Sequence, residues 1–356
     1  MAKVRLGDVA RDANVSIATA TRVVRDGKNV SDEMRRRVEE SIVRLGYVVP
    51  KPQTRRPLPD ARIIGHILRK THANMLFARI LDSVDEIARS RGCHVITITV
   101  DDDYTIMQLV DHINALLNYN ACGIIMSALG DTIDFEPMQS FLTNVDVPIV
   151  MVERVAGLIG INKVVVNAKE SLFMAAKYLL DRGHRRIAYI APDWSAEVEQ
   201  QRLAGFREAM ARVADAEAVF LPSEKYGAAE GYRAVAACAA GRALPTAAIA
   251  NDTLMSGVLQ FLYEKDIRIP SGMSLVAMDD TLAELLSPPL TSIAFPEREM
   301  AQTAIDIIFD ASAKQQALAR TVLLSTRLIE RGSVVPPRQE GVSPASARSA
   351  KEAGSA

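Results

Sequence analysis

The chain has 356 residues, of which 49% are apolar and 24% charged, a composition typical of a globular protein with two or three domains. No signal peptide is recognisable, and no apolar run reaches the ~18 residues of a membrane span, so the sequence predicts a cytoplasmic protein. The formal charge of −1 is unevenly distributed, because residues 1–62 carry +6 and the remainder −7. A basic N-terminal module on an acidic body is typical of a DNA-binding head, although a solvated charged helix face is the alternative.

The three cysteines do not form a metal or redox motif. Cys93, Cys122 and Cys238 lie far apart, form no CxxC pair and stand among apolar residues. This pattern predicts buried structural thiols in a reducing compartment.

The N-terminal segment shows the spacing of three short helices. The apolar positions of a first helix recur at i, i+3, i+4 and i+7: Leu6, Val9, Ala10 and Ala13. Ser16 is a candidate N-cap for a second helix over 17–24, which turns Ala20, Val23 and Val24 inward. Together these two helices predict a helix-turn-helix. Three helices in about 45 residues bury little surface, so we expect this head to need help from DNA or a second copy.

A third helix is predicted to begin after Ser31, with acidic residues in its first turn and Gly46 just past its end. Its apolar stripe consists of Met34, Val38, Ile42 and Leu45. Residues 49–62 follow as a basic segment with prolines at 50, 52, 57 and 59, which removes backbone donors and disfavours helix. We predict an extended linker here.

From residue 63 the pattern changes to short apolar strands that alternate with amphipathic helices. The predicted strands are 63–68, 94–99, 123–127, 148–152, 186–191, 218–221, 247–250, 274–278 and 291–295. The predicted helices are 75–91, 105–118, 136–144, 168–182, 197–213, 227–240, 253–265 and 297–312. Such alternation predicts parallel sheets with helices on both faces, in two α/β subdomains with a ligand at the carboxyl ends of the strands. Residues 336–356 have no apolar period and are predicted to be disordered.

Motifs for enzyme chemistry are not recognisable. The sequence has no GxxxxGK[ST], GxSxG or HExxH pattern and no paired Cys/His spacing, so no cofactor and no metal site is expected. His94, within a strand, is interpreted as a core or edge residue. The run from Asp101 to Asp103 lacks the Gly and Glu of a calcium loop and is interpreted as a solvated turn. Asp279 and Asp280 follow a strand at its ligand-binding end, where a structural turn and a ligand site both remain open.

At this point the chain resembles the lactose/galactose repressor (LacI/GalR) family of transcription regulators. The resemblance runs from Val4 to about Ser333, through LGDVARDANVSIATATRVV, VSDEMRRRVEESIVRLGY, YLLDRGHRRIAYI, QRLAGFREAM, ANDTLMSGVLQFL, IPSGMSLVAMDD and STRLIERGSV. It implies a small all-α helix-turn-helix head, a hinge, and an α/β core of two parallel-sheet subdomains with the periplasmic-binding-protein fold. It also implies a homodimer on a pseudo-palindromic double-stranded DNA operator, a nucleoid location, and a small-molecule effector that changes DNA affinity.

The resemblance assigns DNA contacts to the head. Ile17, Ala18 and Arg22 occupy the family's base-facing positions; arginine can pair bidentately with guanine, whereas the other two offer only apolar contact. The remaining predicted DNA-contacting residues are Leu6, Ser16, Thr19, Thr21, Arg25, Asn29, Val30 and Ser31, the majority of them at positions that hold phosphate.

The hinge departs from the family pattern. The alanine and leucine of the usual hinge helix correspond to Gln53 and Arg56, beside prolines, so a folded helix with a leucine wedge in the minor groove is not expected. Two outcomes remain: Arg55 or Arg56 enters a minor groove without intercalating, or the linker stays flexible. Either predicts a loosely coupled head and little bending of the operator.

The resemblance also implies effector contacts on loops after the strands. They are Asn74, Leu76, Phe77, Ser127, Arg154, Arg202, Tyr226, Asn251, Asp252 and Asp279. Such side chains suit a polyhydroxylated ligand, a sugar or sugar acid. Arg69, Lys70 and His72 suggest an anionic one, unless they form a solvated loop. Leu76 and Phe77 are alternatively core residues of their helix.

The predicted domain boundaries are a head over 1–48, the linker 49–62, and a core over 63–335 that divides into 63–161 with 296–322 and 162–292 with 323–335. The alternatives are an α/β enzyme, for which no nucleophile or metal site is visible, and a periplasmic-type solute-binding protein, which has no use for the head. A leucine heptad for tetramerisation is not apparent, so a dimer is predicted.

Overall fold

The computed structural model describes residues 4–25, 30–48, 62–69, 75–101, 103–127, 129, 135–153, 158–192, 197–241, 243–313 and 318–337. The chain forms two compact units. Unit 1 consists of Met1–Asn167, Ala196–Val198 and Phe295–Thr326, and unit 2 of Ala168–Ser195, Glu199–Ala294 and Arg327–Ala356. The three helices of the head therefore belong to unit 1.

The head contains helices α1 (Leu6–Asp12), α2 (Ile17–Arg25) and α3 (Asp32–Leu45). Both predicted N-caps are confirmed, because the amide of Thr19 donates to Ser16 Oγ at 3.0 Å and that of Met34 donates to Ser31 Oγ at 3.4 Å. Gly46 ends α3 with a left-handed φ of 66°, as its position after the last apolar residue predicts.

The elements after the head follow in alternation, as predicted. In chain order they are β1 (Arg62–Arg69), α4 (Met75–Ser90), β2 (Cys93–Val100), α5 (Ile106–Asn118), β3 (Ala121–Ser127), a 3₁₀ turn (Glu136–Met138), α6 (Gln139–Asn144), β4 (Ile149–Val152), β5 (Asn162–Val166), α7 (Ala168–Asp181), β6 (Arg186–Pro192), α8 (Glu197–Ala211), β7 (Glu217–Ser223), α9 (Ala228–Gly241), β8 (Ala247–Asn251), α10 (Asp252–Glu264), β9 (Ser274–Asp279), β10 (Thr291–Ala294), α11 (Glu297–Ala313), β11 (Thr321–Leu324) and β12 (Arg327–Ile329).

Each unit contains one six-stranded sheet. The order in unit 1 is β11-β5-β4-β3-β1-β2, all parallel, and in unit 2 it is β12-β10-β9-β8-β6-β7, parallel except for β12, which runs antiparallel to β10. This confirms the predicted fold class, a helical head followed by an α/β core of two parallel-sheet subdomains. All nine predicted strands are present, whereas β5, β11 and β12 were not predicted.

The apolar stripes of the head are confirmed in part. Val9, Ala10, Ala13, Ala20, Val38 and Ile42 are buried. Val23, Val24 and Leu45 are half-buried against the same core. The assignment of Met34 to the stripe is wrong, because its side chain is 45% exposed. Val43 and Tyr47, which the stripe does not include, are buried instead.

Helix α3 explains this difference, because it packs on the 3₁₀ turn, on α5 and on α6 of the same unit. Head residues share one apolar core with Leu109, Phe135, Met138 and Phe141 of that unit. The amide nitrogen Nδ2 of Asn144 donates to the carbonyl of Gly46 at 3.3 Å. A Cβ at Gly46 would overlap Ser140 and Asn144. The head therefore packs on the rest of unit 1, a contact that the expectation of help from DNA or a second copy does not include.

Unit 2 has comparable close approaches: one lies where a Cβ at Gly205 of α8 would overlap the carbonyl of Lys169 of α7, and another at the crossing of α9 and α10. A Cβ at Gly231 would overlap the carbonyl of Leu254, and a Cβ at Gly257 would overlap the carbonyl of Ala228. These two glycines let α9 and α10 lie against each other at backbone distance, next to the strand ends at which the polar residues of the candidate site lie.

Two further expectations concern the thiols and membrane association. Cys93 is buried as predicted, but Cys122 and Cys238 are only half-buried, so the expectation of three buried thiols is partly wrong; all three are free. Among the described residues, no helix combines the length and the apolarity needed to cross a membrane.

Candidate functional site

Helix α2 presents the predicted base-facing side chains on its exposed side. Ile17 is 61% exposed, and Ala18 and Arg22 are also exposed, whereas Ala20 on the opposite side is fully buried. The helix is thus anchored by one face and offers the other, the arrangement that a recognition helix needs to enter a major groove.

The hydroxyls expected to hold phosphate are partly engaged within the head. Ser16 Oγ and Thr19 Oγ1 lie 2.9 Å apart, and Thr21 donates its hydroxyl hydrogen to the carbonyl of Ile17 at 2.7 Å. A phosphate contact from Thr21 as donor therefore requires its hydroxyl to rotate.

Other predicted DNA contacts differ in exposure. Ser31 is exposed, whereas Val30 is half-buried, and Leu6 is half-buried against the head's core. Arg25 ends α2, but its side chain, like Asn29, Arg55 and Arg56, lies outside the described residues.

Arg37 of α3 is a structural residue of the head that the sequence patterns missed. Its Nη2 donates to the carbonyls of Ala13 (2.6 Å) and Asn14 (3.2 Å), in the turn between α1 and α2. Asn14 has a φ of 50°, in the left-handed region. Arg37 therefore satisfies the carbonyls of the turn that sets α2 against α1.

In unit 1, the predicted effector residues that the structure describes are all buried. Leu76 and Phe77 are 3% and 2% exposed, which favours the alternative that they are core residues of α4. Ser127 ends β3, and its hydroxyl lies 2.9 Å from His66 Nε2. Asn74 and Arg154 lie outside the described residues.

In unit 2, Arg202 is buried in an ion pair that the sequence analysis missed. Its Nη1 donates to Glu199 Oε1 at 2.6 Å, and both residues lie on α8. Tyr226 also donates to Oε1 (2.8 Å), and Tyr189 donates to Oε2 (2.6 Å). Burial by itself raises the pKa of Glu199, but Arg202 and the three donated hydrogen bonds outweigh it and hold the pKa below its usual value.

Asn251, Asp252 and Asp279 lie at the carboxyl ends of the neighbouring strands β8 and β9. Asn251 caps α10, because its Oδ1 accepts from the amide of Leu254 at 2.9 Å. Asp252 Oδ2 accepts from both the amide and the hydroxyl of Thr281 (2.5 and 3.0 Å). Burial, followed by repulsion from Asp279, raises the pKa of Asp252 to about 6.

Several buried polar atoms at this edge of unit 2 have no hydrogen-bond partner within the described part of the chain. They are Arg202 Nε, Ser223 Oγ, Asn251 Nδ2 and Asp252 Oδ1. Leaving such groups unpaired costs about 1–3 kcal/mol each, so their concentration at the strand ends indicates a place for a polar ligand. No group of three or more His, Cys, Asp and Glu side chains is placed to hold a metal ion among the residues that the structure describes.

The structure therefore brings five predicted residues into one unit and adds Glu199; the five are Arg202, Tyr226, Asn251, Asp252 and Asp279. A signal for Glu199 was present, because residues three apart share one face of a helix. The spacing does not reveal that Glu199 is buried, and burial is what makes its charge matter for the site.

Comparisons with known proteins agree with both parts of the chain. The model of "Bacterial regulatory proteins, lacI family" matches residues 5–49, and that of the "Periplasmic binding protein-like domain" matches residues 176–334. The HTH-type transcriptional repressor PurR of Vibrio cholerae is 28% identical over 335 residues, 92% of this chain and 97% of that protein. The ribose operon repressor of Haemophilus influenzae is 25% identical over 333 residues, with the same coverage of each.

A solved structure extends the likeness to the fold. The lac repressor dimer bound to operator and the anti-inducer ONPF superposes with a TM-score of 0.67 at 23% identity, over 94% of this chain and 100% of that one. With its helix-turn-helix head and its two parallel-sheet subdomains, this chain joins a helix-turn-helix domain of the lacI family of bacterial regulatory proteins to a periplasmic-binding-protein-like domain, and the relatives that it matches are transcriptional repressors.

Proposed function

We propose that this repressor binds a pseudo-palindromic operator as a homodimer, and that a small polyhydroxylated molecule at the strand ends of unit 2 changes its DNA affinity. The observation that carries the DNA-binding part is the geometry of α2, which is anchored by the buried Ala20 and exposes Ile17, Ala18 and Arg22 on the opposite face. One family member of similar fold is a dimer on its operator, which supports the dimer here.

The effector part of the proposal rests on the unpaired polar atoms of unit 2. Arg202 Nε and Asn251 Nδ2 can donate, and Asp252 Oδ1 can accept, so the edge offers both kinds of partner to a ligand. A sugar is consistent with this mixture, and one relative is a ribose operon repressor. Asn74 and Arg154 stay predictions, since they lie outside the described residues.

The DNA-binding part is tested first with the Arg22→Ala variant. Operator sequences are selected from a random duplex library with the wild-type chain, and affinities are measured by mobility shift at two salt concentrations. Loss of a bidentate arginine–guanine pair is worth about 1–3 kcal/mol of discrimination, so the affinity for the selected operator should fall by a factor of roughly 5 to 150. Binding to sheared DNA should change little.

Arg36→Ala is the matched control, because Arg36 is an exposed arginine of α3 that pairs with Glu40 and does not lie on α2. Equal losses for both variants, on selected and sheared DNA alike, would mean that Arg22 contributes only charge. Sedimentation of the protein–operator complex tests the dimer: one chain per operator would contradict it.

A further inference from the structure

We propose that Glu199 sets the charge preference of the effector site: it neutralises Arg202 from within the protein, so that the site takes an uncharged, hydroxyl-rich ligand and rejects anions. The inference deepens the proposed function and rests on it, because it takes the ligand at the strand ends of unit 2 to be the effector. It opposes the expectation of an anionic effector that Arg69, Lys70 and His72 suggested.

The first observation is that the place of a ligand carboxylate on Arg202 is already taken. Glu199 is 2% exposed and the Arg202 side chain 9%, and their 2.6 Å ion pair is buried. Tyr226 and Tyr189 donate to the same carboxylate, at 2.8 and 2.6 Å. Three donors that could bind an incoming anion are therefore directed at Glu199 instead.

The second observation is the sign of the surrounding charge. The carboxylate of Asp279, at the end of β9, interacts electrostatically with Arg202 and with Asp252, and it raises the pKa of both. Arg331, a second arginine of unit 2, is bidentate with Asp280, with bonds of 2.6 and 3.1 Å. Two guanidinium groups thus face four carboxylates, and Glu284 adds a fifth beside Arg331. An anion that enters this edge meets net negative charge in a poorly solvated environment, where repulsion is strong.

The third observation is the nature of the atoms left unpaired. They comprise the donors Arg202 Nε and Asn251 Nδ2, the acceptor Asp252 Oδ1, and the hydroxyl of Ser223, which can do either. A hydroxyl both donates and accepts, so adjacent hydroxyls on one ligand can satisfy this mixed set, whereas a phosphate or carboxylate offers acceptors only. Charge and hydrogen-bond capacity therefore select the same class of ligand.

The test compares the full-length wild-type chain with Glu199→Gln, which removes the charge and keeps the size of the side chain. The probe is inorganic phosphate, titrated at constant ionic strength and followed by thermal shift and calorimetry. We expect no saturable binding to the wild type and at least tenfold tighter binding to Glu199→Gln, because Arg202 is no longer neutralised. Glu208→Gln is the matched control: Glu208 is on the same helix but exposed, paired with Lys169 and Arg212.

A second arm uses wild-type protein alone, so that it remains decisive even if Glu199→Gln does not fold. D-glucose, D-gluconate and D-glucose 6-phosphate are compared, and likewise ribose with ribose 5-phosphate. The inference predicts that no anionic member binds more tightly than its neutral parent. Tighter binding of an anion, or saturable wild-type phosphate binding that Arg202→Met abolishes, would overturn it, as would a folded Glu199→Gln that gains no phosphate affinity.

The two proposals fail separately. Operator binding is measured on the same preparations, and its absence from the wild type would refute the proposed function without altering the anion measurements. Normal operator binding combined with an anion preference at Arg202 would refute only the role of Glu199.

Discussion

His66 and Asp252 are buried ionisable side chains, one in each unit, whose pKa values are displaced in opposite directions. Burial lowers the pKa of His66 to about 4, so this ring is neutral in the folded chain. Burial, together with Asp279, raises the pKa of Asp252 to about 6. As pH falls from about 6.5 to 4, unit 1 loses stability through His66, whereas unit 2 gains it through Asp252.

The Asp252→Asn variant tests the second of these effects. Since the folded pKa of Asp252 lies above the unfolded value of 3.8, its contribution to stability is fully present below pH 3.8 and is lost as pH rises through about 6. At 1.36 kcal/mol per pKa unit the loss is on the order of 3 kcal/mol. Asparagine stays neutral, so we expect the variant to lack this decline.

Urea unfolding of the full chain between pH 4 and 7.5 measures the effect. Asp215→Asn is the control in the same unit, because Asp215 is an exposed residue paired with Arg185. An unchanged pH slope in Asp252→Asn, equal to that of the control, would show that Asp252 titrates normally.

Among the secondary-structure elements, α3 is the one that connects the head to the rest of unit 1. The helix faces α1 and α2 on one side, and the buried Val43 and Tyr47 belong to the core that the head shares with unit 1. An apolar stripe inferred from sequence periodicity assumes that a helix has one buried face. A helix that packs on two sides buries residues outside that stripe. The second buried side explains why Val43 is missed, whereas Met34 lies in the first turn of α3, where its side chain is 45% exposed.

The packing of α3 on α6 is tested by Gly46→Ala, with Gly92→Ala as its control. Both glycines have left-handed φ values, 66° and 69°, so both substitutions incur about 1–2 kcal/mol of backbone strain. A Cβ at Gly46 overlaps Ser140 and Asn144, whereas a Cβ at Gly92 has nothing within 4 Å. We expect Gly46→Ala to cost roughly 1–3 kcal/mol more in unfolding free energy.

Denaturant unfolding of both variants, followed by far-UV circular dichroism, measures the difference. Equal losses would contradict the packing of the head on α6. A larger loss for Gly46→Ala that also lowers operator affinity would link this contact to DNA binding.

At the scale of the whole molecule, the linker between head and core is the segment whose sequence departs from the lacI-family pattern. The linker with Gln53 and Arg56 lies outside the described residues, so its conformation stays a prediction from sequence. The contact of α3 with α5, α6 and the 3₁₀ turn offers a direct route between head and core that requires no folded hinge. We infer that coupling in this repressor depends more on that contact than on the linker.

Operator bending tests the prediction for the linker. Without a leucine to wedge into the minor groove, the wild-type chain should bend its operator little in a circular-permutation gel. The double variant Gln53→Ala/Arg56→Leu, which restores the two family residues, should bend it at least as much. A large kink produced by the wild type would refute the prediction.

The sequence by itself determined the local chemistry of the chain. Caps at Ser16 and Ser31, the terminating Gly46 and the alternation of apolar runs were sufficient to place the head, all nine predicted strands and the fold class, because these signals act over a few neighbouring residues. Strands β5, β11 and β12 were not recognised, although β5 is as long as the recognised β8, and β11 as long as β4. Their burial is incomplete, so alternation is weak.

Only the tertiary structure decided which polar residues share an environment. The sequence placed Glu199 and Arg202 on one helix, but their burial depends on Tyr189 of β6 and on Tyr226 after β7, which the strand order of the sheet brings to the same edge. The shared core of α3 and α6 likewise joins segments about 100 residues apart. Packing between distant segments sets burial and therefore the local dielectric, which is why charge preference and head docking could not be derived from local patterns.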